Sequence, residues 1–259
     1  MRPARLLILG GTGEASGLAA AAAARFAGRL EVTLSLAGRL AERPPPPGYR
    51  VRRGGFGGTE GLVRHLAAAA VDLVIDATHP FAATISAHAA AACAAAAVPR
   101  LLLLRPPWVP AADDRWIEVA DADEAAARLP ALGRRVFLTT GPGSFAAFAA
   151  VPDVWFLVRL FEPPPSPLPL PRHRAVIARP PFTVDDETAL IRDHAIETVV
   201  SKQAGGATRA KLQAAARLGL PVVMIRRPDK PAGARVADVE GALAWLAARL
   251  TELSRSAGV

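Results

Sequence analysis

The chain is poor in the residues on which several classes of protein depend. Among its 259 residues it has one cysteine, Cys93, one tyrosine, Tyr49, and three lysines. A single cysteine excludes a disulfide framework and a CxxC metal site, and it fits the reducing cytoplasm. A Tyr-x-x-x-Lys catalytic pair is excluded because no lysine follows Tyr49 at that spacing. The three lysines stand out against a background of arginine, at Lys202, Lys211 and Lys230.

Aromatic residues and long apolar runs are also scarce. Aromatics make up 5% of the chain and the arginines are scattered, whereas nucleic-acid-binding proteins cluster basic residues among aromatics. The apolar stretch at 6–9 ends at glycine and is too short for a signal peptide. No His, Asp or Glu cluster has metal-ligand spacing. We therefore expect a cytoplasmic protein without a metal, a nucleic-acid partner or a membrane span.

Apolar residues are nevertheless plentiful enough for a large core. They form 51% of the chain, and the mean hydropathy is +0.25. The charge is uneven: residues 1–130 hold 14 basic and 12 acidic residues, whereas residues 131–259 hold 17 and 11. The excess of positive charge in the second half favours an anionic small-molecule ligand there. A solvated arginine surface is the alternative.

Strand and helix patterns alternate along both halves. Strand patterns at 6–9, 31–36, 51–53, 71–76 and 100–104 are separated by helical patterns or loops, and the alternation resumes at 135–139. Residues 105–134 read as a proline-rich linker and one helix. Repeated β-α units predict parallel sheets with right-handed crossovers. We predict two Rossmann-like, doubly wound α/β domains, 1–130 for NADPH and 131–259 for substrate, with ligands in a cleft between them.

The stretch "LLILGGTGEASGLA" predicts a phosphate-binding turn. A strand, a glycine turn and a helix place backbone N–H groups where they bind a pyrophosphate. The match to G-x-G-x-x-G is partial, with Ser16 at the third glycine. A purely structural βα turn is the alternative. The residues expected to hold the cofactor here are Gly10, Gly11, Thr12, Gly13 and Glu14; for Glu14, a simple interaction with the helix dipole stays open.

The end of the second strand, "VTLSLAGR", indicates which dinucleotide binds. NAD-binding domains usually place a carboxylate there to bind the ribose 2′-hydroxyl. This strand end offers Ser35 and Arg39, and a hydroxyl with a guanidinium suits a 2′-phosphate. We therefore predict NADPH rather than NADH, unless Arg39 is one more surface arginine.

The stretch "LVIDATHPFAATIS" carries a buried strand straight into Thr78, His79 and Phe81. At the end of the fourth strand these residues would line a nicotinamide site. His79 is the candidate proton donor because its ordinary pKa is near 6.5. The alternatives are a helix cap at Thr78 and a structural histidine.

Two further glycine turns in the second half suit a carboxylate or a phosphate. The first is "LTTGPGS" and the second is "VVSKQAGGATRAKL". Lys202 ends a strand at the second turn and is a candidate for binding a substrate carboxylate, although a solvent-facing charge would look the same. The candidate substrate-binding residues are Thr139, Thr140, Gly141, Ser201, Lys202, Gly205 and Gly206.

Taken together, the stretches "ILGGTGEA", "SLAGR", "VIDATHPFA", "LLRPPW", "VFLTTG", "RPPF", "VVSKQAGG" and "VVMIRRP" resemble the precorrin-6A reductase family of cobalamin biosynthesis. "DATHPFA" and the S-K-x-x-G-G stretch are the most specific. The chain departs from the family pattern in two places. Gln203-Ala204 stand where Asn-Ser is expected, and Pro180 stands where glycine is expected before Pro181-Phe182.

The resemblance implies a two-domain enzyme that uses NADPH to reduce one double bond of a precorrin macrocycle, giving precorrin-6B. His79 and Lys202 are the candidate catalytic residues for this reaction, and water is the alternative source of the proton. The resemblance implies an anionic tetrapyrrole as substrate and leaves transient contact with other corrin-pathway enzymes open. Two alternatives remain: another NADPH-dependent reductase of a polycarboxylate, akin to dihydrodipicolinate reductases, and a non-catalytic module that senses NADPH.

Overall fold

The computed structural model describes residues 2–37 and 48–256. The strands, in chain order, are β1 (Ala4–Leu9), β2 (Leu30–Leu36), β3 (Arg50–Arg53), β4 (Leu73–Asp76), β5 (Arg100–Leu103), β6 (Arg115–Val119), β7 (Arg135–Leu138), β8 (Trp155–Leu160), β9 (His173–Ile177), β10 (Thr198–Lys202), β11 (Pro221–Ile225) and β12 (Arg235–Val236). The α-helices are α1 (Gly13–Arg25), α2 (Gly58–Ala68), α3 (Ala83–Ala95), α4 (Ala122–Arg128), α5 (Phe145–Phe148), α6 (Val184–Asp193), α7 (Ala210–Arg217) and α8 (Val239–Ser256).

The chain divides into two compact units. The first comprises Met1–Pro106 together with Pro228–Val259, and the second comprises Pro107–Arg227. Each has a six-stranded sheet, and every neighbouring pair of strands in both sheets is parallel. The predicted α/β class with two doubly wound parallel sheets is therefore confirmed.

The first sheet has the strand order β12-β5-β4-β1-β2-β3. β1 is buried on both faces, as expected for a central parallel strand. Leu6 and Ile8 pack in the cluster that includes residues of α1 and α8, whereas Leu7 and Leu9 pack in the cluster that includes α2 and α3. The strand order reverses between β1 and β4, which is where doubly wound sheets bind ligands.

The alanine-rich helix α3 buries the single cysteine. Cys93 is 3% exposed, and burial raises the pKa of its thiol to about 11. Only the thiolate reacts readily with disulfide reagents. We expect the native protein to react with Ellman's reagent at pH 8 at least about tenfold more slowly than an unfolded chain. In denaturant it should release one thiol equivalent at once, and fast labelling of the folded protein would contradict this burial.

The second sheet has the strand order β6-β11-β10-β7-β8-β9. Strands β7, β8, β9, β10 and β11 take the same places in this sheet as β1, β2, β3, β4 and β5 take in the first. The place of β12 is taken by β6, which precedes the other five strands along the chain. The sequence prediction of a linker at 105–134 missed β6, because its five residues follow a proline-rich stretch and only Val119 among them is buried. The helix that follows the turn after β7, α5, spans only four residues.

The unit boundaries differ from the predicted division at residue 130. The segment 107–130 contains β6, which pairs with β11 and so belongs to the second unit. At the other end, β12 pairs with β5, and α8 packs in the first unit's core through Ala242, Leu246 and neighbouring residues. The chain therefore returns to its first unit after completing the second. A two-residue strand carries no sequence pattern from which this return could be predicted.

Within the described ranges, no helix is both long enough and apolar enough to cross a bilayer. The same residues contain no group of three or more His, Cys, Asp or Glu side chains that could hold a metal ion.

Candidate active site

The glycine turn after β1 has the geometry of an anion-binding turn. Gly11 has a φ of +113°, a conformation that side chains with a Cβ rarely adopt. Thr12 caps α1: its hydroxyl accepts a hydrogen bond from the Ala15 N–H at 3.1 Å and donates one to the Ala77 carbonyl at 2.9 Å. The cap therefore fixes the helix N-terminus to the end of β4, and Gly13 begins the helix.

Gly10 has a packing role in this turn. Its N–H donates to the Ser35 carbonyl at 2.9 Å and so continues the β1–β2 ladder. A Cβ at this position would lie 2.6 Å from the Leu34 Cδ1. Since its N–H is already bonded, the amide of Gly10 is not a donor for phosphate. The backbone of Gly11 to Glu14 is left to fill that role.

A small, open cleft lies at the point where the strand order reverses. It brings together three residues that the sequence analysis selected, Thr12, Glu14 and Thr78. The other lining residues are Ala77, Pro80, Leu103, Leu104 and Arg105. Polar groups of the glycine turn thus face apolar groups from the ends of β4 and β5, a combination typical of cofactor sites.

Glu14 is paired with a residue that the sequence analysis missed. The Arg105 guanidinium donates to the Glu14 carboxylate at 2.8 Å, and both side chains are partly buried. Arg105 follows β5, the strand beyond β4 in the sheet. Because the carboxyl ends of parallel strands meet at one edge, the position of Arg105 after a strand was the signal that could have identified it.

At the end of β4, a buried carboxylate accepts hydrogen bonds from the loop that follows the strand. Asp76 is fully buried, and its Oδ1 accepts hydrogen bonds from the Thr78 N–H at 3.1 Å and the Thr78 hydroxyl at 2.6 Å. The Ser86 hydroxyl, from α3, lies 3.3 Å from that of Thr78. Thr78 therefore does not cap α3, whose N-cap is Ala82. Its polar atoms instead fix the loop to the strand.

Lys230 completes this network from the far end of the chain. Its ammonium lies 2.6 Å from the Ser86 hydroxyl and 3.2 Å from each of the Thr78 hydroxyl and the carbonyls of His79 and Ala82. Burial lowers the pKa of Lys230, and the Asp76 carboxylate opposes that shift. The lysine therefore ties both ends of the loop 78–82 to α3. Sequence reasoning missed it because 148 residues separate Lys230 from Ala82.

Replacing Lys230 with methionine should loosen this loop. Methionine keeps the apolar stem and leaves two hydroxyls and two carbonyls without the ammonium, so we expect a loss of unfolding free energy of about 2 kcal/mol. The control is Asp229→Ala, which removes an exposed neighbouring side chain. Equal stabilities of the two variants in urea would contradict the role assigned to Lys230.

His79 and Phe81 lie together in the same loop. The His79 Nδ1 accepts the Phe81 N–H at 3.2 Å, and the two rings are 5.9 Å apart. With Nδ1 accepting, the proton of the neutral imidazole is assigned to Nε2. The ring is thus held in an orientation that presents Nε2–H as its donor.

Two residues, Ser35 and Arg39, were selected from the sequence for the adenosine end of the cofactor, and only Ser35 lies in the described part of the chain. Ser35 is buried near the end of β2, where its hydroxyl accepts from the Arg52 guanidinium at 3.2 Å. Arg39 lies outside the described residues. Arg52, in β3, was not selected because its strand carries three arginines and no glycine turn of a familiar type.

In the second unit, hydroxyl groups of the turn after β7 donate hydrogen bonds that hold the turn in place. Thr139 donates to the Val200 carbonyl at 2.9 Å, and Ser144 donates to the Thr140 hydroxyl at 2.7 Å. Gly141, with a φ of +82°, accepts from the Ser144 hydroxyl through its carbonyl at 3.0 Å. The hydroxyl hydrogens of Thr139 and Ser144 are thus used within the unit, which leaves the Thr140 hydroxyl as the turn's side-chain donor.

At the end of β10, Ser201 and Lys202 differ in exposure. Ser201 is buried, so its side chain packs within the protein. Lys202 is partly buried, and that burial lowers the pKa of its ammonium.

The comparison with known proteins covers nearly the whole chain. The family model described as "Precorrin-6x reductase CbiJ/CobK" matches residues 5–247. This chain belongs to the precorrin-6x reductase family. The resemblance inferred from the sequence motifs is therefore confirmed, and it places the chain in a family of oxidoreductases of tetrapyrrole biosynthesis.

Individual members of the reductase family are similar over the same extent. A protein named precorrin-6A reductase from Rhodococcus erythropolis is 49% identical over 93% of this chain and 97% of its own length. One from Rhodobacter capsulatus is 50% identical over 94% and 96%. A solved structure named CobK precorrin-6A reductase matches with a TM-score of 0.87 at 49% identity, over 95% of this chain and 97% of that one.

One departure from the reductase pattern has a structural explanation here. The Gln203 side chain accepts the Trp108 N–H at 2.9 Å and donates to the Trp108 carbonyl at 3.0 Å. The Trp108 indole donates to the Gly206 carbonyl at 2.7 Å, and Arg227 donates to the Gln203 carbonyl at 2.7 Å. The turn that includes Gly205, at φ +67°, therefore holds Trp108 in place, so that part of its polar capacity serves structure.

Proposed function

We propose that this chain is an NADPH-dependent precorrin-6A reductase, which reduces one double bond of the macrocycle to give precorrin-6B in cobalamin biosynthesis. The observation that carries the proposal is the cleft at the strand reversal of the first sheet, in a chain about half identical to two precorrin-6A reductases. The glycine turn, the helix N-terminus and the polar loop 78–82 supply what a dinucleotide site needs.

The nucleotide would lie along the carboxyl edge of the first sheet. The N–H groups from Gly11 to Glu14 would hold the pyrophosphate, and the absence of a Cβ at Gly10 allows the turn to pack against Leu34. Ser35 lies toward the adenosine end, and Thr78, His79 and Phe81 lie toward the nicotinamide. The nicotinamide, when bound, supplies a hydride to the macrocycle. The Glu14–Arg105 pair borders the cleft and fixes the orientation of the first turn of α1.

Hydride addition to a conjugated ring system must be balanced by a proton at a neighbouring atom. We propose that His79 donates this proton from Nε2 as the imidazolium, which becomes the neutral imidazole on transfer. Charging the ring adds a proton to Nδ1 and breaks its hydrogen bond with the Phe81 N–H, and this hydrogen bond re-forms when the extra proton has left. Lys230 would act through the loop rather than on the substrate, because four oxygens surround its ammonium.

The second unit would bind the anionic tetrapyrrole. Lys202 is the proposed partner of a substrate carboxylate, supported by its partial burial at a strand end. Thr140, Gly141 and the 205–206 turn would contact the remaining arms through hydroxyl and backbone groups. Thr139 and Ser201 would support these turns from inside. We place the reaction in the cytoplasm, where contact with other corrin-pathway enzymes would be transient.

The proposal is tested by incubating the purified protein with NADPH and precorrin-6A. The expected result is loss of NADPH absorbance in proportion to a product two hydrogens heavier than the substrate. NADPH without the macrocycle is the control. Binding of NADPH with no oxidation would favour the NADPH-sensing module. Oxidation with another polycarboxylate but not with precorrin-6A would favour a different reductase.

A further inference from the structure

Arg52 occupies a distinctive position on the edge of the first sheet. In the strand register it is the partner of Ser35, which in turn is the partner of Leu9, the residue before the glycine turn. Arg52 therefore lies at the same level as the start of the dinucleotide site, two strands away from it. In doubly wound domains the adenosine half of a dinucleotide extends in this direction from the glycine turn.

The Arg52 guanidinium is held by neutral groups. Its Nη1 donates to the Gly54 carbonyl at 2.5 Å and to the Ser35 hydroxyl at 3.2 Å, and its Nη2 donates to the Gly55 carbonyl at 2.7 Å. The carbon of the guanidinium lies 3.8 Å from the centre of the Phe56 ring. These contacts fix the side chain in one orientation before any ligand binds.

Among the residues that the structure describes, no carboxylate neutralises Arg52. Three other partly buried arginines each pair with a carboxylate: Arg105 with Glu14, Arg159 with Glu187 and Arg209 with Asp114. Burial also lowers the pKa of the Arg52 guanidinium, with no acidic group opposing it. A partly buried, preoriented cation of this kind is stabilised when an anion binds to it.

Within ranges 2–37 and 48–256, the loop that follows β3 leaves space for such an anion. Gly54, Gly57 and Gly58 have positive φ values, and a Cβ built on any of them or on Gly55 would meet no atom of those ranges within 4 Å. The glycines therefore serve the path of the loop and an open surface rather than close packing. Counting only partners that the structure describes, the guanidinium makes three hydrogen bonds, which use three of its five N–H groups.

We propose that Arg52, together with the Ser35 hydroxyl, binds the 2′-phosphate of NADPH and sets the preference for NADPH over NADH. The proposal rests on the proposed function, because it assigns a residue to the same nucleotide site. It gives Arg52 the role that the sequence analysis gave to Arg39. The guanidinium supplies two hydrogen-bond donors and a charge, and NADH offers only a ribose hydroxyl at that position.

The test compares NADP⁺ and NAD⁺ binding to the wild type, Arg52→Gln and Arg53→Ala by calorimetry. Arg53 is the matched control because it is exposed on the same strand. We expect Arg52→Gln to weaken NADP⁺ binding by about 10- to 100-fold and NAD⁺ binding by less than about threefold, since one charge-assisted interaction is lost. Arg53→Ala should change neither by more than about threefold.

Equal weakening of both nucleotides, or an unchanged preference in Arg52→Gln, would overturn the assignment to Arg52. A wild-type protein that binds neither nucleotide would instead overturn the proposed function. A second measurement needs no variant: phenylglyoxal modification of Arg52, followed by mass spectrometry of the wild type. Saturating 2′,5′-ADP should protect Arg52 and 5′-ADP should not, and equal modification with both would likewise refute the proposal.

Discussion

Replacing Glu187 with alanine should cost the second unit about 3–5 kcal/mol of unfolding free energy, the loss expected when one partner of a buried ion pair is removed. Glu187 is 1% exposed and Arg159 is 10% exposed, and the guanidinium donates to the carboxylate at 2.5 Å. The same guanidinium lies 4.9 Å from the ring centre of Phe137 and 4.0 Å from that of Phe182. Without Glu187 its charge would be left in largely apolar surroundings.

Asp185→Ala is the matched control for this experiment, because it lies in the same helix. Asp185 pairs with Arg217 at 2.6 Å, but its side chain is 86% exposed. Solvent screens such a pair, and we expect a loss of no more than about 1 kcal/mol. Both variants can be followed by tryptophan fluorescence in urea, since Trp108, Trp116 and Trp155 all lie in the second unit. A Glu187→Ala protein as stable as Asp185→Ala would show that the pair is not buried as described.

Replacing Gly11 with valine should weaken nucleotide binding by about 10- to 100-fold. The φ of +113° at Gly11 is strained for any residue with a Cβ, by about 1–3 kcal/mol, and most so for a β-branched one. A valine variant relieves the strain by reshaping the turn, and a bound pyrophosphate would have to restore the original geometry. The free energy of the strain is therefore subtracted from the free energy of nucleotide binding.

Gly17→Ala separates this effect from a general intolerance of α1 to substitution. Gly17 lies inside the helix, and a Cβ there would meet nothing within 4 Å. Alanine should stabilise the protein by about 0.5–1 kcal/mol and leave nucleotide affinity unchanged. Calorimetric titration with NADP⁺ measures the nucleotide affinity of both variants. Wild-type affinity in Gly11→Val would mean that the turn after β1 does not bind the nucleotide.

The fold of the first unit was predictable from the sequence where strand patterns and helix patterns alternate along the chain. Central strands such as β1 and β4 are short apolar runs, and turns with glycine mark the connections, so the doubly wound sheet followed from local signals. β6 and β12 were missed for opposite reasons. β6 is an edge strand whose residues are mostly not buried, and β12 has only two residues. Pairing between strands, rather than local pattern, determines which unit they join.

The residues of the candidate site were also predictable only in part. Thr12, Glu14 and Thr78 were selected from motifs, and all three line one cleft. Arg105 follows a strand and could have been selected by its position, although its partner Glu14 is about 90 residues away. Lys230 could not be selected, because its role depends on partners about 150 residues away. Motif reasoning finds residues that follow a strand or glycine turn. It cannot find a side chain that reaches into a site from another part of the fold.

Transfer of deuterium from labelled NADPH tests the central claim most directly, because it follows the hydrogen that the reaction moves. NADPH deuterated at C4 of the nicotinamide, on one face or the other, is supplied in separate reactions with precorrin-6A. The account predicts that one of the two labelled forms gives a product one mass unit heavier than unlabelled NADPH gives, and that the other does not. A reduced macrocycle that carries no deuterium from either form would contradict it.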